Sequence, residues 1–242
     1  MLEKTRGIVL HSTKYGDNSL IVTMYTEKFG RQSYMVNATH GRRSANKASA
    51  MQPLFLLETE SYQKKTRELQ RLKESSIWHP YVSLPYDIHK STQAIFLTEI
   101  LCKILQEEEP NPDLYDFLEN ALLFFDTMEE GVALFHMWFL VHLSAWLGIY
   151  PLTRHSPDKG WFDMKKGVVV DREPLHSSFM DQETTHLLIT LQSLQVMDLF
   201  RVKTTRNQRN ILLNKLMEYY SLHFGNLNPL KSLQILKEVF DG

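Results

Sequence analysis

The sequence predicts an α+β chain with segregated halves: a small five-stranded barrel first, an α-helical domain after it. Three observations carry that expectation. Up to about Trp78 the apolar runs are short, rich in β-branched and aromatic residues and separated by turn residues, the pattern of strands. Beyond Pro80 and Pro85 the apolar spacing becomes helical. The charge turns over at nearly the same place: residues 1–80 carry 13 basic and 7 acidic side chains, net +6, whereas residues 81–200 carry 7 and 18, net -11. At 242 residues the chain exceeds the ~100–200 usual for one domain, which favours two domains or one large one; the change of pattern places the two at 1–80 and 81–242.

RGIVLHSTKY, SLIVTMYT, RQSYMVNAT, LFLLETESY and LQRLKESSIW read as the five strands. In the second, Leu20, Val22 and Met24 form an apolar face and Ile21, Thr23 and Tyr25 a mixed one, which predicts a half-buried strand. Glu27-Lys28-Phe29-Gly30 is a turn ending in glycine, where positive φ costs least, so strands two and three form a hairpin. His40 to Gln52 is polar, ends at Pro53 and reads as a long loop with room for one helical turn. Five short strands favour a closed barrel over an open sheet, because closure removes exposed edges.

In the second half Ile88, Thr92, Ile95, Phe96, Ile100 and Leu101 trace one stripe, with Asp87 as N-cap. Further helices are expected at 113–127, 131–147, 181–196, 205–221 and 229–240, with Gly148 and Pro151 ending the one at 131–147. Residues 152–180 form an irregular insertion in which WFDMKKGVVVD predicts a small hairpin or loop. Gly131 to Thr153 carries no formal charge and is long enough to span a bilayer. His136, His142 and Ser144 inside it, and the lack of a flanking Lys/Arg cluster, point instead to a buried core helix.

Enzyme templates are absent: the chain has no G-x-x-x-x-G-K-[ST] loop, G-x-G-x-x-G turn, G-x-S-x-G elbow or H-E-x-x-H helix. Its single cysteine, Cys102, excludes an internal disulfide and a multi-cysteine zinc site, and lies on an apolar helical pattern beside Leu101 and Ile104. His136 and His142, six residues apart, fall on different helix faces. His155, Asp158, Asp163 and His176 sit in the insertion at spacings that match no common zinc pattern. The expectation is therefore no catalytic residue, metal or cofactor. The opening MLEKTRGIVLHS has too short an apolar run for a secretory leader, which predicts a cytosolic chain with no membrane partner.

What remains is basic and aromatic. Lys14, Tyr15, Arg31, Tyr34, Arg42, Arg43, Lys47, Arg67 and Arg71, with Tyr62, Lys64 and Lys65, combine cations with flat rings in the first 80 residues. Single-stranded nucleic acid is bound by both: cations neutralise phosphates and release counterions, and aromatic faces stack bases. Arg42 and Arg43, beside Gly41 in a polar loop, are the most suggestive pair. Arg201, Lys203, Arg206 and Arg209 form a second basic set that could meet phosphate or a protein partner, in a tail (201–242) of net charge +4. The competing reading is a non-catalytic adaptor, the helical domain binding a partner peptide and the barrel serving as scaffold.

The order of these features resembles the RecO family of bacterial DNA-repair and recombination mediators. Tyr15-Gly16-Asp17, Thr26 with Gly30-Arg31, Gly41-Arg42-Arg43 and Gln52-Pro53 stand where that family has its Tyr-Gly-acid turn, Thr-x-x-x-Gly-Arg hairpin, Gly-basic-basic loop and Gln-Pro strand. LFHMWFLVHLSAWLGIYP looks like its central helix ending in Leu-Gly-x-x-Pro, and Leu230-Lys231-Ser232-Leu233 like its C-terminal Lys-Ser helix. The resemblance implies an oligonucleotide/oligosaccharide-binding (OB) barrel before the helical domain. It also implies binding of single- and double-stranded DNA and annealing of complementary strands. With RecR, such a protein helps load RecA onto DNA covered by single-stranded-DNA-binding protein (SSB), whose acidic, apolar C-terminal tail it also binds. A cytoplasmic, nucleoid-associated place follows. Many relatives carry a four-cysteine zinc module after Leu-Gly-x-x-Pro; residues 152–180 here contain no cysteine, so that metal does not carry over.

Overall fold

The structure is a computed structural model that describes residues 1–16, 19–37, 49–64, 66–153, 160–225, 227 and 229–241. Its chain contacts divide it into two compact units, Met1–Asp126 and Thr127–Gly242.

The first unit opens with strands β1 (Leu2–Tyr15), β2 (Ser19–Thr26), β3 (Gly30–Asn37), β4 (Leu56–Tyr62) and β5 (Leu69–Ile77). They close into a barrel in the order β1-β2-β3-β5-β4, the strand order of an OB barrel, with only β3 and β5 parallel. Closure depends on the length of β1. Its first half pairs with β4 (Leu2 opposite Tyr62) and its second half with β2 (Tyr15 opposite Ser19). Gly7 faces both partners, and an added Cβ there would meet Thr26 at 3.3 Å. Inside lie Val9, Val22, Met24, Tyr34, Val36, Leu57 and Leu72, alternate residues of their strands, joined by Met51 from the β3–β4 connection.

Two helices belong to the same unit, α1 (Ile88–Ile104) and α2 (Pro112–Thr127). Asp87 caps α1 as expected, its carboxylate accepting from the N–H groups of His89 and Lys90. The predicted boundary at residue 80 follows the last barrel strand, whereas the compact unit runs on to Asp126. Its consequence is visible in β2. The mixed face was expected to meet solvent, yet Thr23 and Tyr25 are buried along with Val22 and Met24. The chain after α1 lies against the β2–β3 hairpin, where the Arg31 N–H donates to the Glu107 carbonyl at 2.9 Å. Burial, with Glu107 nearby, pushes the Tyr25 hydroxyl up to about 12.

The second unit holds a 3₁₀ turn at Val132–Leu134 and helix α3 (Phe135–Trp146). A three-stranded sheet in the order β7-β6-β8 follows, from β6 (Trp161–Asp163), β7 (Val168–Val170) and β8 (Phe179–Met180). Helices α4 (Gln182–Ser193), α5 (Arg206–Phe224) and α6 (Lys231–Asp241) complete it. The uncharged stretch 131–153 is thus a 3₁₀ turn plus twelve helical residues, and among the described residues no helix is long and apolar enough to cross a membrane. Phe135, Met137, Phe139, Leu140 and Leu143 are buried, so α3 forms the centre of its unit. Polar ends of large side chains find carbonyls: Trp138 Nε1 donates to Leu194 O at 2.9 Å and Tyr220 Oη to Leu140 O at 2.6 Å.

Candidate nucleic-acid interface

The barrel ladder determines which side chains share its outer surface. Opposed residues point to the same side of a sheet, so the pairing Thr13–Ile21, Ile21–Met35, Met35–Arg71, Arg71–Tyr62 and Tyr62–Leu2 is one continuous outer row across all five strands. Tyr62 is 46% exposed and Leu2 40%, enough to present an aromatic face and an apolar edge to a ligand. Arg71 is exposed between them and Met35. Two residues further along β1, Tyr15 stands opposite Ser19, itself opposite Asn37, on the same side. Tyr15 is 55% exposed, and Lys14 beside it is exposed at the mouth of the β1–β2 turn.

The β4–β5 connection brings more cations to this end. Gln70 is buried, and its side-chain amide donates to Lys64 O at 3.0 Å and to Arg67 O, while its oxygen accepts from the Lys64 N–H at 2.9 Å. The Arg67 N–H closes the turn onto Lys64 O at 3.1 Å. One buried side chain thereby orders the loop backbone and leaves the Lys64 and Arg67 side chains exposed. Among the described residues no carboxylate pairs with Lys14, Lys64, Arg67 or Arg71. Unpaired cations beside flat rings are the chemistry that holds a single strand.

Two predicted site residues stand elsewhere. Tyr34 is fully buried in the barrel, its hydroxyl donating to Gln32 Oε1 at 2.7 Å and pushed well up by burial, so it has no free face on which a base could stack. On β3 it belongs to the inward set opposite Val22 and Gln70, a parity the strand pattern alone leaves ambiguous. Arg31 is committed to the fold: its Nη1 donates to Cys102 O at 2.7 Å and Leu105 O at 2.9 Å, satisfying the carbonyls at the end of α1. Arg42, Arg43, Lys47 and Lys65 lie outside the described residues. Of the predicted residues, Tyr15 and Arg71 lie on the outer side of the ladder; Lys14, opposite Leu20, has the other parity but is exposed at the barrel mouth, and Arg67 is exposed in the β4–β5 connection. Leu2, Ile21 and Met35 were missed, although the outward parity of Ile21 was readable.

A second structural node went unrecognised. Arg6 lies over the rings of Trp78 (5.5 Å) and Tyr115 (5.4 Å), and its guanidinium reaches Glu27 at 2.9 Å and Glu119 at 2.6 Å. The hydrogen bond to Glu27 holds Arg6 firmly charged and, in return, keeps the Glu27 carboxyl below its ordinary range. This arginine is part of the fold's interior wiring rather than of the exposed row.

In the second unit the basic set divides. Arg201 pairs with Asp198 at 3.2 Å, and Arg206 is exposed at the first turn of α5. Lys203 and Arg209 line a groove of about 450 Å³ with Leu134, Leu199 and Phe200. Arg209 Nη1 donates to Thr204 O at 3.2 Å, which steadies that wall. In the insertion, His155 and Asp158 lie outside the described residues, while His176 Nε2 meets Asp163 Oδ1 at 3.3 Å. Among the described residues no three His, Cys, Asp or Glu side chains gather to hold a metal.

Two family models match in tandem: Recombination protein O N terminal over residues 1–81 and Recombination protein O C terminal over residues 85–234. The chain belongs to the RecO family. It is 38% identical over 240 residues to the DNA repair protein RecO of Phocaeicola vulgatus, covering 99% of this chain and all of that one. The DNA repair protein RecO of Bacteroides fragilis is 38% identical over the full length of both chains. That of Flavobacterium psychrophilum is 36% identical over 98% of each. RecO proteins are DNA repair proteins, and the five-stranded OB barrel that carries the exposed row is the family's N-terminal domain.

Proposed function

We propose that this RecO-family chain is a recombination mediator without bond-making chemistry. Its barrel binds single- and double-stranded DNA, and the protein anneals complementary strands. Together with RecR it helps load RecA onto DNA covered by single-stranded-DNA-binding protein, in the cytoplasm at the nucleoid. The observation that carries the reading is the outer row Leu2–Tyr62–Arg71–Met35–Ile21, flanked by Lys64 and Arg67 at one edge and by Lys14 and Tyr15 near the other. Arg71 neutralises a phosphate while Tyr62 stacks a base, an arrangement indifferent to sequence, as a mediator needs. The groove formed by Phe200, Lys203 and Arg209 suits the acidic, apolar tail of the single-strand-coating protein: an apolar floor for its hydrophobic side chain, two cations for its carboxylates.

The test is binding of fluorescent oligo-dT at two salt concentrations. Tyr62→Ala is expected to weaken affinity roughly tenfold or more through lost stacking. Arg71→Glu is expected to lower it as well and to reduce the log–log salt slope by ~0.7 for the lost phosphate contact. Annealing of complementary strands should slow in both. Unchanged affinity at both salt concentrations would overturn the assignment of this face.

A further inference from the structure

Carboxylates enter the outer face of the barrel along β4 and β5. One rung beyond Leu2–Tyr62–Arg71, the ladder pairs Lys4 with Glu60 and Glu60 with Glu74, and the next pairs Arg6 with Glu58 and Glu58 with Ser76. The register shift between Glu60 and Ser61 makes Lys73 the extra residue, and its ammonium sits 3.0 Å from Glu60. Arg6 is turned to Glu27 and Glu119. Glu58 and Glu74 are thus exposed carboxylates in no ion pair among the described residues, with Lys4 beside them and the Lys73 ammonium, bound to Glu60, also attracted to Glu74. Successive rungs on one face lie about 7 Å apart, inside the ~10 Å Debye length at 0.1 M salt. A phosphate held by Arg71 would therefore sense Glu74, one rung away, while Glu58, two rungs or about 14 Å away, acts on a strand that has advanced one rung along β4.

Shape does not close this direction, since Lys4, Glu58, Glu60, Glu74 and Ser76 line an open groove of about 340 Å³. Charge does. We infer that Glu58 and Glu74 form an electrostatic boundary that confines a bound single strand to the path across the barrel strands, from Tyr62 and Arg71 over Met35 and Ile21 toward Tyr15. The carboxylates turn the strand away from the path along β4 and β5. The inference rests on the proposed DNA-binding face and adds the residues that set the strand's course and the length it occupies. Crossing from β4 to β2 spans only about 15 Å at ~4.8 Å per strand. That corresponds to the short end of the ~4–16 nucleotides bound by such barrels.

The experiment compares the full-length protein with a Glu58→Gln/Glu74→Gln variant, using oligo-dT of graded length. The variant is expected to bind about 3- to 10-fold more tightly at low salt, with the gain fading at high salt, and to occlude more nucleotides. A Glu108→Gln/Asp113→Asn variant, equal in charge change but with both positions away from these rungs, is expected to shift affinity less than about twofold. Equal effects of the two variants, or no change in affinity and occluded length for the first, would overturn the boundary. Arg71→Glu separates the two readings. If it weakens binding while Glu58→Gln/Glu74→Gln is silent, only the boundary fails; if it too is silent, the DNA-binding face fails with it.

Discussion

In the unit spanning Met1–Asp126, buried ionisable groups are held charged by close partners. Arg6 sits between two aromatic rings with Glu27 and Glu119 on its guanidinium. Asp126, also buried, accepts from the N–H groups of Val82, Ser83 and Leu84 at 2.6–2.8 Å, and Lys90 Nζ donates to its carbonyl at 2.8 Å. Burial works to raise the Asp126 carboxyl, but those donors outweigh it and leave it below its ordinary range. The unit spanning Thr127–Gly242 has one such buried carboxylate, Asp163, paired with Lys166 and His176, but its central helix α3 buries neutral imidazoles instead. His136 is fully buried, and burial, helped by the nearby Arg209 charge, pushes its imidazole down to about 3. His142 is lowered by burial as well, against its contact with Leu191 O at 3.2 Å. The lesson concerns acid. A paired carboxylate tolerates mild acidification, whereas a buried neutral imidazole does not, because the unfolded chain takes up the proton that the folded one refuses.

The sharpest way to break the first unit is at Gly30. Its φ is +60°, and a Cβ there would lie 2.3 Å from Glu109 O and 2.9 Å from Glu107 O. Gly30→Ala should cost about 3–4 kcal/mol in urea unfolding, combining left-handed strain with a backbone clash that no rotamer relieves. Hydrogen exchange should rise in β2, β3 and the 105–109 segment; native-like protection there would mean the close approach is not a constraint. Arg6→Met tests the charged interior. Leaving Glu119 buried without its partner should cost about 2–3 kcal/mol, below the full penalty of a buried pair because Arg6 is partly exposed. Adding Glu119→Gln should restore part of it, and a double variant no more stable than Arg6→Met would show that packing on Trp78 and Tyr115 carries the effect instead.

Acid sharpens the comparison with the smallest and most selective effect. Between pH 6.5 and about 3 the unfolded chain is protonated at His136 and the folded one is not, so stability of the second unit falls as pH drops. The slope is at most ~1.4 kcal/mol per pH unit for that group. In the first unit, Glu27 and Asp126 have lowered folded values, so their stabilisation is present above the ordinary carboxylate range and is lost only below it. Hydrogen exchange at pH 7 and pH 5 should therefore show protection lost preferentially in α3 and α5, and His136→Gln should flatten that dependence. Equal loss in both units would remove the distinction.

Much of the fold was legible because periodicity is a local property. The five strands, the Asp87 cap, the 161–170 hairpin and the break after Trp146 follow from alternation, helical spacing and turn residues that any short window displays, whereas the start of β1 at Leu2 rather than Arg6 depends on its pairing with β4. The candidate site was half legible. Lys14, Tyr15, Arg67 and Arg71 are exposed at the barrel end where composition pointed. Arg31 and Tyr34 have the same composition signal and different fates.

By itself, the sequence determined the residue types and their alternation: a basic front block, five strands, a helical remainder and no catalytic template. Only the tertiary structure decided which cations are free. Arg6 and Arg31 are consumed by carboxylates and carbonyls contributed by residues 21 to 113 positions away, and Glu74 comes to lie one rung from Arg71 because β5 pairs with β4 across a bulge. Charge is written residue by residue, but its neutralisation depends on distance in space, and distance in space exists only once the chain has closed.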